Sequence, residues 1–246
     1  MARIECPGKI FENVQAVIFD KDGTLANVES FLKSLGQKRS RLVDAQIPGV
    51  QEPLLMAFGL EGDQINPGGL LAVGSRRENE IAAAAYVAET GREWLESLEI
   101  ARSAFQEADS YLKRKADHTP LFAGALDTLK SIRSADLKLG ILSSDTTENV
   151  RDFVQKYQLE DYVQLYLGTD AGPSKPDPML FKQACAALGT PPEVTLMIGD
   201  SKIDAALARV AGAAGYINVT WGWTEPAPFV HADVIIVRFD QIQVFS

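Results

Sequence analysis

Cysteine and histidine are scarce, with two of each in 246 residues. Cys6 and Cys185 lie far apart and show no metal-ligand spacing, so they read as reduced thiols of an intracellular protein. No apolar run approaches the ~20 residues that a membrane span needs. The opening Met-Ala-Arg-Ile-Glu-Cys-Pro-Gly-Lys-Ile has no continuous apolar core followed by a small-residue cleavage site, so no secretory signal is expected. The expectation is a cytoplasmic protein that meets no membrane. Positive charge is also in deficit: 24 Lys and Arg stand against 33 Asp and Glu, a formal net charge of −9. A general affinity for nucleic acid needs a basic face, and this balance argues against it. An anionic small molecule stays open as a partner, because local geometry and a bound cation can overturn the bulk charge inside one cleft. Internal repeats and low-complexity segments are absent too.

What is present is ordinary for a folded enzyme-sized chain. Apolar residues make up 46% and charged residues 23%, and the length suits one large domain or a core with a smaller one inserted. Val14–Asp20 (VQAVIFD) is a short apolar run rich in β-branched residues that closes on Asp-Lys-Asp-Gly-Thr, the pattern of a buried strand followed by a turn. From Asn27 to about Thr119 strand signals nearly vanish. Helical stretches take their place at Arg76–Thr90 and Arg92–Ala116, with a Gly-rich stretch, Asn66–Gly74, that reads as a loop. From about Leu121 the pattern alternates. Helices are expected at Ala123–Ala135, Thr146–Tyr157, Pro178–Leu188 and Ser201–Ala211. Strands are expected at Leu137–Ser143, Val163–Leu167, Val194–Gly199, Gly215–Val219 and Val234–Val237. Such alternation means βαβ units on a parallel sheet, here a doubly wound α/β core formed by residues 1–26 and 120–246 around a helical insert, 27–119.

Ligands of such sheets bind outside the carboxyl ends of the strands. The first strand ends in Asp20, with Asp22 two residues on; the second in Ser143-Ser144-Asp145. The third is followed by a loop with Lys175, and the fourth ends in Gly199-Asp200, with Asp204 four residues later. Parallel strands bring these ends to one edge, where several carboxylates meet one lysine and one hydroxyl. Carboxylates within about 4–6 Å raise one another's pKa unless a cation offsets the repulsion. No histidine or cysteine is placed for zinc, so a hard cation with oxygen ligands, Mg²⁺, together with a phosphorylated ligand, is the expectation. Blander readings exist for each signal. Asp-Gly-Thr is a common turn, with Gly23 and Thr24 serving turn chemistry. Asp145-Thr-Thr-Glu148 fits a capping box. Asp200 and Asp204 suit a helix N-terminus, and Lys175 could be a solvated loop lysine. The order of all four signals along successive strand ends favours one site.

These four segments resemble the motifs of the haloacid dehalogenase superfamily, and within it the phosphatases with a helical cap. Val17-Ile-Phe-Asp-Lys-Asp-Gly-Thr-Leu25 is similar to the first motif, Gly140-Ile-Leu-Ser-Ser144 to the second, Ser174-Lys-Pro-Asp-Pro178 to the third and Ile198-Gly-Asp-Ser-Lys-Ile-Asp204 to the fourth. Asn218-Val-Thr-Trp-Gly-Trp223 is similar to a segment of phosphoglycolate phosphatase-like members. The resemblance implies a Rossmann-like core with an inserted α-helical cap that closes over the site and reads the leaving group.

It further implies that Asp20 is the nucleophile, forming a phospho-aspartate, and that Asp22 is the general acid and then the base. Ser143 would bind a phosphoryl oxygen, with a less certain contribution from Ser144, which stands where many relatives have asparagine. Lys175 would neutralise phosphoryl charge and restrain Asp20. Gly23 would allow backbone N–H groups to face the phosphate. Mg²⁺ would be held by Asp20, Asp200 and the backbone carbonyl of Asp22, with Asp204 as an outer or water-mediated ligand. Asp22 speaks against haloacid dehalogenation, whose branch lacks that second acid. The partner is then a small phosphorylated metabolite. Two alternatives remain: a phosphomutase of the β-phosphoglucomutase type, and a catalytically silent binding module. The basic residues of the insert (Lys38, Arg39, Arg41, Arg76, Arg77, Lys113, Arg114 and Lys115) read as solvated helix faces. Arg76 and Arg77, after the Gly-rich loop, are the candidates for an anionic leaving group. His118 reads as a surface residue near the return to the core.

Overall fold

In a computed structural model the chain divides into two compact units, residues 1–28 with 119–246, and residues 29–118. The structure describes residues 2–112, 114–170, 172–225 and 231–246.

The first unit is built on a six-stranded parallel sheet. Its chain opens with β1 (Ala2–Cys6), β2 (Lys9–Val14) and β3 (Ala16–Phe19). The second unit follows, containing α1 (Glu29–Asp44), α2 (Gln51–Phe58), β4 (Leu60–Glu61), β5 (Gln64–Ile65), α3 (Leu70–Val73), α4 (Arg76–Glu89) and α5 (Trp94–Leu112). The first unit resumes with α6 (Ala125–Ser134), β6 (Lys138–Leu142), α7 (Thr147–Lys156), β7 (Leu165–Leu167), α8 (Pro178–Leu188) and β8 (Thr195–Gly199). It ends with α9 (Lys202–Ala211), β9 (Gly215–Val219), β10 (Val234–Ile236) and β11 (Gln243–Phe245).

Strand order in the large sheet is β10-β9-β8-β3-β6-β7, so β3 lies between β8 and β6, and the chain order reverses beside it. All four residues of β3 are buried because both faces are covered. Val17 and Phe19 pack into one core with Leu129 and Ile132 of α6 and Phe153 and Val154 of α7. Ala16 and Ile18 pack into the other with Phe181 and Ala184 of α8 and Leu207 and Ala208 of α9. Each large side chain so buried contributes about 1.5–3 kcal/mol relative to exposure, which fixes β3 and hence the position of its carboxyl end.

A three-stranded antiparallel sheet, β11-β1-β2, was not anticipated from sequence. It takes Val14 from the run expected to form the first parallel strand: Asn13, at φ 58°, and a register shift in the β1–β2 pairing end that hairpin before β3 begins. Strand boundaries elsewhere fall within a residue or two of expectation.

In the helical unit the Asn66–Gly74 stretch is a loop only in part. Asn66 accepts the Gly68 N–H in a turn, and Leu70–Val73 then form the short α3. The long helix expected over Arg92–Ala116 runs from Trp94 to Leu112, and a 3₁₀ turn covers Lys115–Asp117. Ser75 and Glu78 form a capping box at the start of α4. No helix among the described residues is long and apolar enough to cross a membrane.

Candidate active site

Asp20 follows β3 directly and is nearly buried, and its backbone N–H donates to the Ile198 carbonyl of the neighbouring β8 at 2.8 Å. Lys175 joins it from the loop before α8. Its ammonium, also buried, donates to Asp20 Oδ1 at 2.6 Å and to Asp204 Oδ1 at 2.7 Å. The bland reading of Lys175 as a solvated loop residue therefore fails.

Asp204 is placed by the start of α9. Ser201 caps that helix, and the hydroxyl of Ser201 donates to Asp204 Oδ2 at 2.5 Å in a reciprocal capping box. The helix N-terminal reading of Asp204 holds, and the same capping carboxylate also pairs with Lys175. Asp200, at the end of β8, accepts the Thr24 hydroxyl at Oδ1 (2.9 Å) and the Trp223 indole N–H at Oδ2 (2.6 Å). Trp221 in turn donates its indole N–H to the Thr24 carbonyl at 3.0 Å. Gly23 is required where it stands. Its φ is +84°, and a Cβ there would lie 2.6 Å from Asp200 Oδ2 and 3.0 Å from Trp223 Nε1.

The carboxylates of Asp20, Asp200 and Asp204 each bring an oxygen within 4.8 Å of the others. Burial pushes the Asp20 carboxyl up to about 7, with Lys175 opposing and Asp204 and Asp22 adding to the shift. Burial, then the charges of Asp20 and Asp204, pushes Asp200 well above the ordinary carboxylate range, against the bonds from Trp223 and Thr24. Burial alone would lower the Lys175 ammonium, but Asp20 and Asp204 outweigh it and raise it. Tyr216 is buried behind the cluster and bonds the Ser201 carbonyl at 3.1 Å; burial first, then the three carboxylates, raise its hydroxyl. One ammonium against three buried carboxylates leaves a net negative site made only of hard oxygen donors. That donor set fits a divalent hard cation.

The Asp22 carboxylate is not in this cluster: it is ion-paired with Lys21. Ser143 follows β6, is buried, and its hydroxyl accepts the Asp145 N–H at 3.2 Å. Ser144 is half-buried beside it. The expected capping box from Asp145 to Glu148 does not form. Thr146 is the extended residue before α7, and its hydroxyl accepts the Asn149 N–H at 3.2 Å. This releases Asp145 for Lys21, 3.1 Å away.

Within the helical unit, Arg76 donates to Glu80 at 2.8 Å and to Asp109. Its guanidinium is thus held by two carboxylates of the helical unit. Arg39 is not a solvated helix residue either. It is buried 4.3 Å over the Phe105 ring and 3.3 Å from Asp109. Lys113 lies outside the described residues. His118 stacks on Phe31 with ring centroids 6.4 Å apart.

Residues 14–212 match the family of haloacid dehalogenase-like hydrolases, and the chain belongs to that family. It is similar to the phosphoglycolate phosphatase of Caulobacter vibrioides, 34% identical over 133 residues, which cover 53% of this chain and 56% of that one. The matched stretch thus spans little more than half the length of that relative. A phosphoglycolate phosphatase of Vibrio vulnificus is 26% identical over 223 residues, 90% of each chain. Among solved structures, a predicted phosphoglycolate phosphatase from Haemophilus somnus superimposes with a TM-score of 0.67 at 21% identity, covering 92% of this chain and 95% of that one. The fold is therefore the α/β core of this hydrolase family.

Proposed function

We propose that the chain is a Mg²⁺-dependent phosphatase that hydrolyses a small phosphate monoester through a phospho-aspartyl intermediate on Asp20. The observation that carries this reading is the bridge from Lys175 to Asp20 and Asp204. It fixes one oxygen of a strand-end carboxylate in a cluster that calls for a cation. The names of the Caulobacter and Vibrio relatives put phosphoglycolate first in any substrate panel.

In the first half-reaction Asp20 attacks phosphorus in line, the P–O bond to the leaving group breaks, and Asp22 gives that oxygen its proton. In the second, Asp22 takes a proton from water as the water oxygen attacks phosphorus. The P–O bond to Asp20 then breaks, and inorganic phosphate leaves. The Ser143 hydroxyl and the N–H groups around Gly23 bind phosphoryl oxygens. Lys175 restrains Asp20 and balances phosphoryl charge, and Ser144 lines the same edge. Mg²⁺, held by Asp20, Asp200 and the carbonyl of Asp22 with Asp204 outside them, would neutralise charge on the phosphoryl oxygens.

Residues 27–119 are assigned as the cap and the remainder as the catalytic core, in keeping with the division of contacts at 29–118. The burial of Cys6 and Cys185 as free thiols suits a reducing, cytoplasmic setting. Phosphate release from an aryl phosphate, with and without Mg²⁺, tests the reading in wild type and Asp20→Asn. Activity that needs Mg²⁺ and is lost in the variant supports it. Conversion of a hexose 1-phosphate to its isomer without free phosphate would replace it with the mutase alternative.

A further inference from the structure

Lys21 lies between the two aspartates of the first motif, yet its side chain is only 1% exposed. Its backbone is fixed first: the N–H groups of Thr24, Leu25 and Ala26 all donate to the Lys21 carbonyl, at 3.3, 2.9 and 2.8 Å. The side chain then runs past the Phe153 ring, 5.7 Å from its centroid. Its ammonium pairs with Asp22 Oδ1 and lies 3.1 Å from Asp145 Oδ2. Asp145 is anchored at its other oxygen, which accepts the Thr146 N–H at 2.8 Å and the Asn149 amide at 2.7 Å. A continuous set of polar contacts therefore runs from the start of α7 through Asp145 and Lys21 to Asp22. An apolar side chain could fill the space against Phe153 without burying a charge. A buried ammonium persists only where it is paired, and one of its two partners here is Asp22.

We propose that Lys21 is a positioning residue: it holds the Asp22 carboxylate in its working orientation, and Asp145 with the start of α7 anchors it. The proposal rests on the reading of Asp22 as acid and base. Two carboxylates around one ammonium keep a net negative charge, so Asp22 is oriented by Lys21 and not neutralised by it. A fixed carboxylate serves both half-reactions, where a small misplacement of a reacting group is costly.

The test compares Lys21→Met, Asp22→Asn and the double variant on phosphoglycolate and on p-nitrophenyl phosphate, whose leaving group departs without a proton. With phosphoglycolate, Lys21→Met lowers kcat roughly 10- to 100-fold and leaves KM within about threefold, a share of the 10²–10⁴ that acid–base catalysis provides. With p-nitrophenyl phosphate it gives a burst of nearly one nitrophenolate per site, because only the second half-reaction still needs Asp22. In the Asp22→Asn background the same change costs less than about threefold. Losses that multiply in the double variant, or equal losses on both esters with no burst, overturn the proposal. If Lys21→Met does not melt cooperatively, Asp145→Asn decides, since it keeps the lysine and loosens only the anchor. The same burst and split, smaller in size, are expected, and wild-type kinetics in that folded variant overturn the proposal. Asp20→Asn is run beside them. An inactive Asp20→Asn protein with additive Lys21 losses sinks only the positioning role, whereas an active one sinks the phospho-aspartyl reading itself.

Discussion

The indole N–H of Trp223 donates to Asp200 Oδ2 at 2.6 Å, from a segment 23 residues further along the chain. Together with the Thr24 hydroxyl on Oδ1, it orients a buried carboxylate whose charge is otherwise opposed by its surroundings. A hydrogen bond to a charged group contributes about 1.5–3 kcal/mol. Trp223→Phe should therefore weaken Mg²⁺ binding roughly tenfold or more, read by calorimetric titration with the metal alone. It should also remove most of any change in tryptophan fluorescence on adding Mg²⁺. Unchanged affinity would make the indole bond incidental.

Gly23→Ala is the sharpest steric prediction. The added methyl group must meet Asp200 and Trp223 at a positive φ, so the turn and the carboxylate cannot both keep their places. A loss of about 1–2 kcal/mol of stability is expected from the backbone conformation. Turnover should fall much further, by about two orders of magnitude or more, if the turn binds phosphate as proposed, because its misplacement would then affect every step. Denaturant unfolding and steady-state rates separate the two effects.

The parallel core was legible because its signals are local. β9 is predicted to the residue, and β8 to within one, by short apolar runs marked by glycine, with Gly215 opening β9 and Gly199-Asp200 closing β8. Their order along the chain then brings Asp20, Lys175, Asp200 and Asp204 together without further information. The β11-β1-β2 sheet was not legible, because Arg3 pairs with Phe245 across the whole chain and each strand is short and mixes polar with apolar residues. The roles of Trp223 and Lys21 escape a sequence reading for related reasons. Trp223 acts across a long loop, and Lys21 resembles an exposed charge until both of its partners are placed. A charged residue between a fully apolar strand and an Asp-Gly-Thr turn was the available signal for Lys21. The capping reading of Asp145 fails because Thr146, one residue later, is the better cap.

The raised Asp20 carboxyl has a consequence for the metal-free protein. Its folded-state value of about 7 stands above the ordinary value near 4, so the folded state holds its proton longer than the unfolded chain does. Stability from this group is present at low pH and is lost as pH rises from about 4 through 7, by an amount on the order of a few kcal/mol. In EDTA, the melting temperature should fall over that window more steeply in wild type than in Asp20→Asn. Mg²⁺ should raise it more at pH 8 than at pH 5. A melting temperature that climbs across the window by the same amount in both proteins would count against the buried cluster.

Both thiols should be inert in the native state. Burial pushes Cys6 and Cys185 each up to about 11, so thiolate at pH 8 is scarce and shielded. Ellman's reagent should titrate neither thiol within minutes, and both at once in guanidinium. Rapid reaction of either native thiol would contradict the packing described around it.

The central claim is covalent chemistry on Asp20, and trapping it is the most direct measurement. The enzyme is mixed with Mg²⁺ and an aryl phosphate, quenched in acid within milliseconds, digested and mapped by mass spectrometry. The account predicts a phosphoryl group on Asp20 that forms before phosphate release and is absent in Asp20→Asn. Undiminished turnover in a folded Asp20→Asn protein, or a phosphoryl group trapped on another residue, would contradict it.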